Sequence, residues 1–465
     1  MVEVTKRSWL PKGSDCEVEA LSLDHKGRAI CCAHDYPDTA HILVAGLLPG
    51  ERGVVRCQRP QKGEQEGRLL GRPLQKERLP AACPHVHACG GCRTQQLAYM
   101  SELAWKEANI ARLFPNDCVS PIVAAPRRFG YRNKMEWSFA RNLEGRLLLG
   151  LHAQGSHRIV DIEHCALVSP WMNWARDEVR RWGESEALSA FNARSGSGCL
   201  RSLTLREGRR SGERMAILQI DATAQHELKN TLSSLQESLR PIVQHLVLRT
   251  QFSQKGTPTR FEQEILFGSG RITDWMQINQ HRLQLFIDST SFAQPNPAVA
   301  ELIYAAVMQS LERDGGVVLD LFAGSAVMGI LASLAGHRAI SVELHAPSCA
   351  IAEELAHING VGAQLQIVCA DVAKFLAQLP QTRYQVILDP PRAGCGDSIC
   401  RWLVEAPIQR IIYVACNPIT QWQDCQTLID GGFAIEQIQP FDQFPNTAHI
   451  ENIVTLSRNL TDALS

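Results

Sequence analysis

The chain has 465 residues, 45% hydrophobic and 20% charged, with a formal net charge of −1. That is ordinary soluble composition with room for two or three domains. No window offers the roughly 18 uninterrupted apolar residues of a membrane span. The opening stretch MVEVTKRSWLPKG lacks the apolar core of a signal peptide, so a cytoplasmic protein without a membrane partner is expected. In such a compartment the sixteen cysteines are thiols, metal ligands or nucleophiles rather than disulfides. Charge is uneven: residues 291–465 hold 8 Lys+Arg against 17 Asp+Glu, and residues 1–290 hold 39 against 31. A basic front half and an acidic rear half point to a polyanion at the front.

In chain order, residues 14–70 read as short alternating strands broken by Gly and Pro, the pattern of a small β-barrel. Residues 75–290 read as a mixed α+β region. In it, LAYMSELAWKEANIARLF has helical spacing of Leu97, Met100, Leu103, Ile110 and Leu113. PRRFGYRNKMEWSF follows, with Arg127, Arg128, Arg132 and Lys134 set among Phe129, Tyr131 and Trp137. Cations for phosphates and rings for bases suit a nucleic-acid surface, and a strand with a solvated basic face fits the same pattern. From 317 onward the apolar runs GVVLDLFAG, RAISVEL, LQIVCAD, YQVILDPPR and RIIYVACNP alternate with helical segments, which argues for a parallel sheet covered on both faces.

The first of these strands leads into a Gly-containing turn and a helix, the local form of a nucleotide site at the carboxyl edge of an α/β sheet. Gly324 permits close backbone approach and Gly329 close helix packing. Glu343 ends the second strand, placed for a ribose diol, and Asp371 ends the third, placed for an adenine edge. A dinucleotide motif would have glycine where Ala326 stands. Without it a phosphate-free nucleoside is favoured, and S-adenosylmethionine fits better than NAD.

Asp389, in LDPPR, ends the fourth strand where a carboxylate meets the substrate. Arg392 stands where amine methyltransferases often carry a base-stacking ring, which disfavours exocyclic-amine methylation. Cys416 ends the fifth strand beside Asp389, and Pro418 prevents the strand from continuing. A thiolate there suits addition to pyrimidine C6, which makes C5 nucleophilic enough to take a methyl group. A base must then remove the C5 proton, and Glu451 in TAHIENIVTL supplies one. His449 reads as structural or orienting.

CPHVHACGGC places Cys83, Cys89 and Cys92 within ten residues, and Cys165 is a candidate fourth ligand. Four thiolates suit zinc or an iron–sulfur cluster. The lone C-x2-C favours a 4Fe–4S cluster, with zinc still open.

Together these motifs resemble the RNA uracil-5-methyltransferases, most nearly the bacterial 23S rRNA (uracil-C5)-methyltransferase group that carries a TRAM domain and an iron–sulfur cluster. The resemblance spans nearly the whole chain. It implies an OB-like TRAM barrel at 1–74, a central domain with the cluster and an RNA-contacting surface at 75–290, and a Rossmann-like methyltransferase domain at 291–465. It implies Cys416 as nucleophile and Glu451 as base. Gln294, Phe322, Glu343, Asp371 and Asp389 fall at the S-adenosylmethionine site, and Cys83, Cys89, Cys92 and Cys165 at the cluster. The implied substrate is 23S rRNA, with tRNA as the nearer alternative and no obligate protein partner. The departures are Ala326 and Val327, where the family has glycine and a polar residue. They motivate a rival in which the chain binds RNA through a disabled methyltransferase fold. A DNA cytosine-5 enzyme is disfavoured, because that class carries its cysteine on an earlier strand.

Overall fold

The computed structural model describes residues 8–458 apart from positions 37–38, 62, 72, 74–77, 115–116, 229, 254–255, 292 and 381. The extreme N-terminal stretch, the expected boundary at 74/75 and position 292 of the SFAQPNP segment lie outside the described residues.

Alternating inward and outward side chains let five short strands curl into a closed barrel. They are β1 (Asp15–Leu23), β2 (Ala29–Ala33), β3 (Ile42–Val44), β4 (Arg52–Cys57) and β5 (Gln65–Leu69), in the order β1-β2-β3-β5-β4. Val18, Ala20, Cys31, Ile42, Val44 and Val55 fill the interior. The barrel is narrow: a Cβ on Gly67 would lie 2.9 Å from Ile42 and 3.0 Å from Val55.

The next element, α1 (Tyr99–Leu113), corrects the expected apolar stripe. Leu103 and Ile110 are buried, but Met100 is 75% exposed, and the inward face also carries Glu102 and Lys106, both fully buried. Lys106 Nζ lies 3.2 Å from Glu102 Oε1 and 2.6 Å from Asp442 Oδ1, and Arg128 Nη2 lies 3.1 Å from Glu102 Oε2. Burial of ions is tolerable only when they are paired, and here one partner, Asp442, comes from more than three hundred residues away.

The central region contains β6 (Lys134–Arg141), β7 (Leu147–His152), β8 (Ile159–Asp161), α2 (Pro170–Ser185), β9 (Leu200–Glu207), β10 (Arg214–Asp221), α3 (Leu232–Leu239), β11 (His245–Phe252) and β12 (Arg260–Phe267). Its seven strands run in the order β12-β11-β10-β9-β6-β7-β8, with a large apolar core that includes residues of α2 and α3. The basic–aromatic segment is absorbed into this fold. Trp137 is fully buried and Tyr131 is 3% exposed, so neither ring is available to stack on a base. Arg128 is taken by Glu102. A hairpin, β13 (Arg271–Ile278) and β14 (His281–Asp288), then leads into the C-terminal half.

That half alternates as its apolar runs require: α4 (Pro297–Gln309), β15 (Val317–Leu321), α5 (Val327–Leu334), β16 (Ala339–Glu343), α6 (Ala346–Ile358), β17 (Leu365–Cys369), α7 (Val372–Leu376), β18 (Tyr384–Leu388), α8 (Asp397–Glu405), β19 (Ile408–Ala415) and α9 (Pro418–Asp430). It closes with β20 (Ala434–Phe441) and β21 (Glu451–Ser457). The sheet order is β17-β16-β15-β18-β19-β21-β20. The first five strands are parallel, as expected, and β21 enters antiparallel between β19 and β20. Beyond β20, Val119 and Val123 bridge in parallel to Ile438 and Phe441, so a segment from the front half finishes the sheet. Among the described residues no helix is long and apolar enough to cross a membrane.

The turn after β15 explains why glycine is the expected residue at position 326. Ala326 precedes α5 with φ 56° and ψ 32°, in the left-handed region, and is almost fully buried. A side chain there costs about 1–2 kcal/mol, part of which a glycine returns through the freer unfolded chain. Ala326→Gly therefore raises unfolding stability by roughly 0.5–1 kcal/mol, read as an increased midpoint in chemical denaturation.

Candidate active site

The order of strands reverses between β15 and β18, and the carboxyl ends of the parallel strands form one edge. Phe322, Glu343, Asp371 and Asp389 all lie there, each directly at or after the end of its strand. Glu343 Oε2 accepts from Gly324 N at 2.9 Å and its Oε1 from His345 N at 2.8 Å, which fixes the carboxylate across the turn. Gly324 has φ 55° and nothing within 4 Å of a built Cβ, so its backbone faces open space. Gly329, by contrast, has no room: a Cβ would meet Ser341 Oγ at 2.0 Å. Asp371 caps α7, accepting from Lys374 N at 3.1 Å. Gln294 precedes α4, and its Oε1 accepts from Gln443 Nε2 at 3.0 Å.

Strand register brings the two expected catalytic side chains together. Ala415 pairs with Asn452 in the antiparallel ladder of β19 and β21. The ladder ends at that pair; Cys416 and Glu451 are the next residues on the two strands, and the charge of Glu451 is felt at the Cys416 thiol. Asn417 caps α9, with Oδ1 accepting from Ile419 N, and Pro418 occupies the first helical turn. The proline thus starts a helix as well as ending a strand.

The electrostatics bind this group into one unit. Burial pushes the Glu451 carboxyl well above the usual carboxylate range; nearby Asp389 adds to the shift and Arg392 opposes it. Asp389 is raised to about 7, by burial and then by Asp320. The Cys416 thiol is raised by burial and by Glu451, while a hydrogen bond and the charge of Arg392 pull it down. His449 is lowered to about 4 by burial and by Arg392, so at neutral pH it is uncharged. Its Nδ1 lies 3.4 Å from Arg392 Nη2 and can only accept there, which fits the orienting part expected of it.

Three residues were missed. Arg392 was read only for the ring it lacks, yet it is the cation beside the thiol. Asp320, raised to about 6 by burial, accepts from Gly329 N at 3.0 Å and Ser341 Oγ at 2.8 Å and holds the nucleotide turn. Tyr304 on α4 is buried with Asp389, Glu451, Asp320 and Gln294 around its hydroxyl. Nothing local in the sequence marks Tyr304, because only the packing of α4 aims it there.

Cys416 opens into a cavity of about 600 Å3 whose walls come from both ends of the chain: Lys26 from the barrel, Arg93, Arg112 from α1, and Arg392 and His449 from the C-terminal half. Among the described lining residues there is no Asp or Glu. The barrel is pressed into this wall, since a Cβ on Gly27 would lie 3.0 Å from Arg93 and 3.3 Å from Ala448.

Cys83, Cys89, Cys92 and Cys165 line a second cavity, of about 580 Å3. Burial and mutual repulsion raise Cys92 to about 12. Cys165 is raised to about 11, chiefly by burial. Arg132, expected to grip phosphate, lies half-buried on the wall of this cavity, and its charge is felt by Cys89, Cys92 and Cys165. Among the described residues no three His, Cys, Asp or Glu side chains are arranged as a site for a metal ion.

Residues 224–459 match the model of the tRNA (uracil-5-)-methyltransferase family. An uncharacterized RNA methyltransferase of Protochlamydia amoebophila is 33% identical over 437 residues, covering 88% of this chain and 98% of that protein. The chain belongs to the RNA uracil-5-methyltransferase family. Another relative, an uncharacterized RNA methyltransferase of Caldanaerobacter subterraneus, is 28% identical over 97% of this chain and all of its own length. The crystal structure of Pyrococcus abyssi tRNA (uracil-54, C5)-methyltransferase with S-adenosyl-L-homocysteine shares the fold, with a TM-score of 0.74 and 22% identity over 95% of this chain and all of that one.

Members of this family are S-adenosylmethionine-dependent enzymes of RNA uracil-C5 methylation, and the chain is one of them. The Cys416 thiol and the Glu451 carboxyl are both shifted upward, so each loses its proton at a higher pH than its free form. The apparent kcat/KM for methyl transfer should therefore climb from pH 6 into the alkaline range. Arg392→Gln removes the cation that pulls the Cys416 thiol down. It should move that limb to higher pH and slow covalent trapping of 5-fluorouridine RNA about 10- to 100-fold at pH 7.

Proposed function

We propose that the enzyme forms 5-methyluridine in 23S rRNA in the cytoplasm, with Cys416 as nucleophile and Glu451 as base. The meeting of Cys416 and Glu451 at the ends of two paired strands, with Asp389 and Arg392 beside them, carries this reading. Arg392 stabilises the Cys416 thiolate. That thiolate adds to C6 of the target uracil and drives the electron pair toward C5. S-adenosylmethionine, when bound, supplies an electrophilic methyl group on a positively charged sulfur. Once C5 carries the methyl, Glu451 takes the C5 proton, the C5–C6 double bond re-forms, and the Cys416 thiolate is expelled. Gln294, Phe322, Glu343, Asp371 and Asp389 hold the cofactor, Glu343 through its ribose. The cavity above Cys416, with Lys26, Arg93, Arg112 and Arg392 on its wall, admits a flipped nucleotide, whose unstacking costs a few kcal/mol.

The four cysteines hold a 4Fe–4S cluster. Four thiols share one cavity, half-buried Arg132 offsets their negative charge on ligation, and the buried donors Gln95 Nε2 and Arg132 Nε on the same wall have no partner in the protein. The cluster, when bound, supplies a rigid cross-link between residues 83–92 and the segment around Cys165. Iron and sulfide analysis of anaerobically purified protein should give about four of each per chain. Zinc alone, with no sulfide, refutes the assignment.

Support for rRNA lies in the joint presence of a barrel and a four-cysteine cavity, the combination that the resemblance connects with 23S rRNA. The description of the matching family favours tRNA as the second reading. Mass spectrometry of nuclease-digested rRNA and tRNA from a deletion strain decides between them. Loss of 5-methyluridine from 23S rRNA, restored by the wild-type chain and not by Cys416→Ala, is the expected result. Loss from tRNA alone reverses the choice.

A further inference from the structure

The hairpin loop between β20 and β21, residues 442–450, ends at Glu451. Loops usually lie on the surface because their backbone groups need water, yet Asp442, Gln443 and Asn446 are 0% exposed. The partners that replace water come largely from outside the β20–β21 hairpin. Lys106 Nζ and Tyr99 Oη hold the two oxygens of Asp442 at 2.6 and 2.7 Å. Lys106 also donates to Phe444 O, and Tyr131 Oη donates to Pro445 O.

Asn446 is the joint. Its N donates to Glu102 Oε1 at 2.7 Å, and its O accepts from Arg93 N at 2.8 Å and Thr94 N at 3.3 Å. Its Nδ2 donates to Arg128 O at 2.7 Å. It holds φ 69°, a left-handed conformation that asparagine tolerates better than most residues. Arg93 directly follows Cys92, and Tyr131 directly precedes Arg132, so both neighbours of the loop are attached to the cysteine cavity. Cys416 is held differently, through the cap of α9 and through Asn417 Nδ2 and Thr420 Oγ1, which both donate to Arg392 O.

Resting on Glu451 as the base, we infer that Asn446 is a positioning residue for proton removal from C5, fastening the loop that delivers Glu451 to the cysteine-bearing segment. Its loss moves the base without moving the nucleophile.

Three variants test this on ordinary RNA and on 5-fluorouridine RNA. Asn446→Ala removes the Nδ2 bond and strains the turn. It should lower turnover about 10- to 100-fold, as a misplacement of about 1 Å does, and accumulate covalent protein–RNA adduct on ordinary RNA. Its trapping rate on 5-fluorouridine RNA should stay within about threefold of wild type, since that rate depends on Cys416. Asn446→Gly keeps the backbone conformation and the three main-chain bonds, so it should fall between wild type and Asn446→Ala in both readouts. It also serves if Asn446→Ala does not fold. Glu451→Gln is the reference for adduct accumulation. If it accumulates adduct while the Asn446 variants do not, or if they lose trapping and turnover in equal proportion, the positioning role is overturned. If Glu451→Gln itself releases product normally, the base assignment falls, and the positioning role falls with it.

Discussion

The structure depends on a knot of ions that water does not reach. Glu102, Lys106 and Asp442 are all fully buried and within ion-pair distance, and Arg128 closes the set from its edge. Such a knot is a poor source of net stability, because desolvation consumes much of the Coulomb attraction. Its value is geometric. Removing any one partner strands the others in a low-dielectric interior, at about 3–5 kcal/mol, so no alternative docking of α1 against the C-terminal half competes with the observed one. The active-site wall is assembled from the barrel, the cysteine loop, α1 and the methyltransferase sheet. Only a docking this specific lets those pieces meet over one sulfur atom.

The site is built in layers of decreasing rigidity. Cys416 sits at the end of a central strand whose neighbours are nearly all buried. Glu451 begins a strand but is delivered by a loop. Arg392 belongs to neither and is anchored through its own carbonyl by Asn417 and Thr420. Glu451 raises the proton affinity of the thiol, Asp389 raises that of the Glu451 carboxyl, and the arginine counters both. One cation thus favours the charged form of both groups.

Much of this was legible from residue patterns, and the reasons are local. The parallel strands announce themselves because both faces are covered, so apolar runs end at the residues that face the ligand. Asp389 and Cys416 could be placed from that rule alone. Barrel strands alternate visibly because one side is wet. What could not be read was long-range. The buried face of α1 carries Glu102 and Lys106, which hydropathy assigns to solvent, while Met100 looks like core and is exposed. Arg132 and Trp137 carry the chemistry of an RNA surface and are spent on the interior. Arg392 lay in plain view, but its partner is 24 positions away in sequence and adjacent only through the parallel pairing of β18 and β19. The position of Ala326 could be flagged, while its left-handed backbone needed coordinates.

The short segment around Val119–Val123 seals the outer margin of the methyltransferase sheet, with Gln437 Nε2 reaching Ser120 Oγ across 317 positions of chain. An uncovered margin of this kind invites strands of other molecules. During synthesis the sealing segment emerges first and must wait, unpaired, until almost the whole polypeptide has been made. The catalytic half excised on its own would never receive it. The outer margin of the catalytic sheet is thus completed by residues translated more than three hundred positions before it.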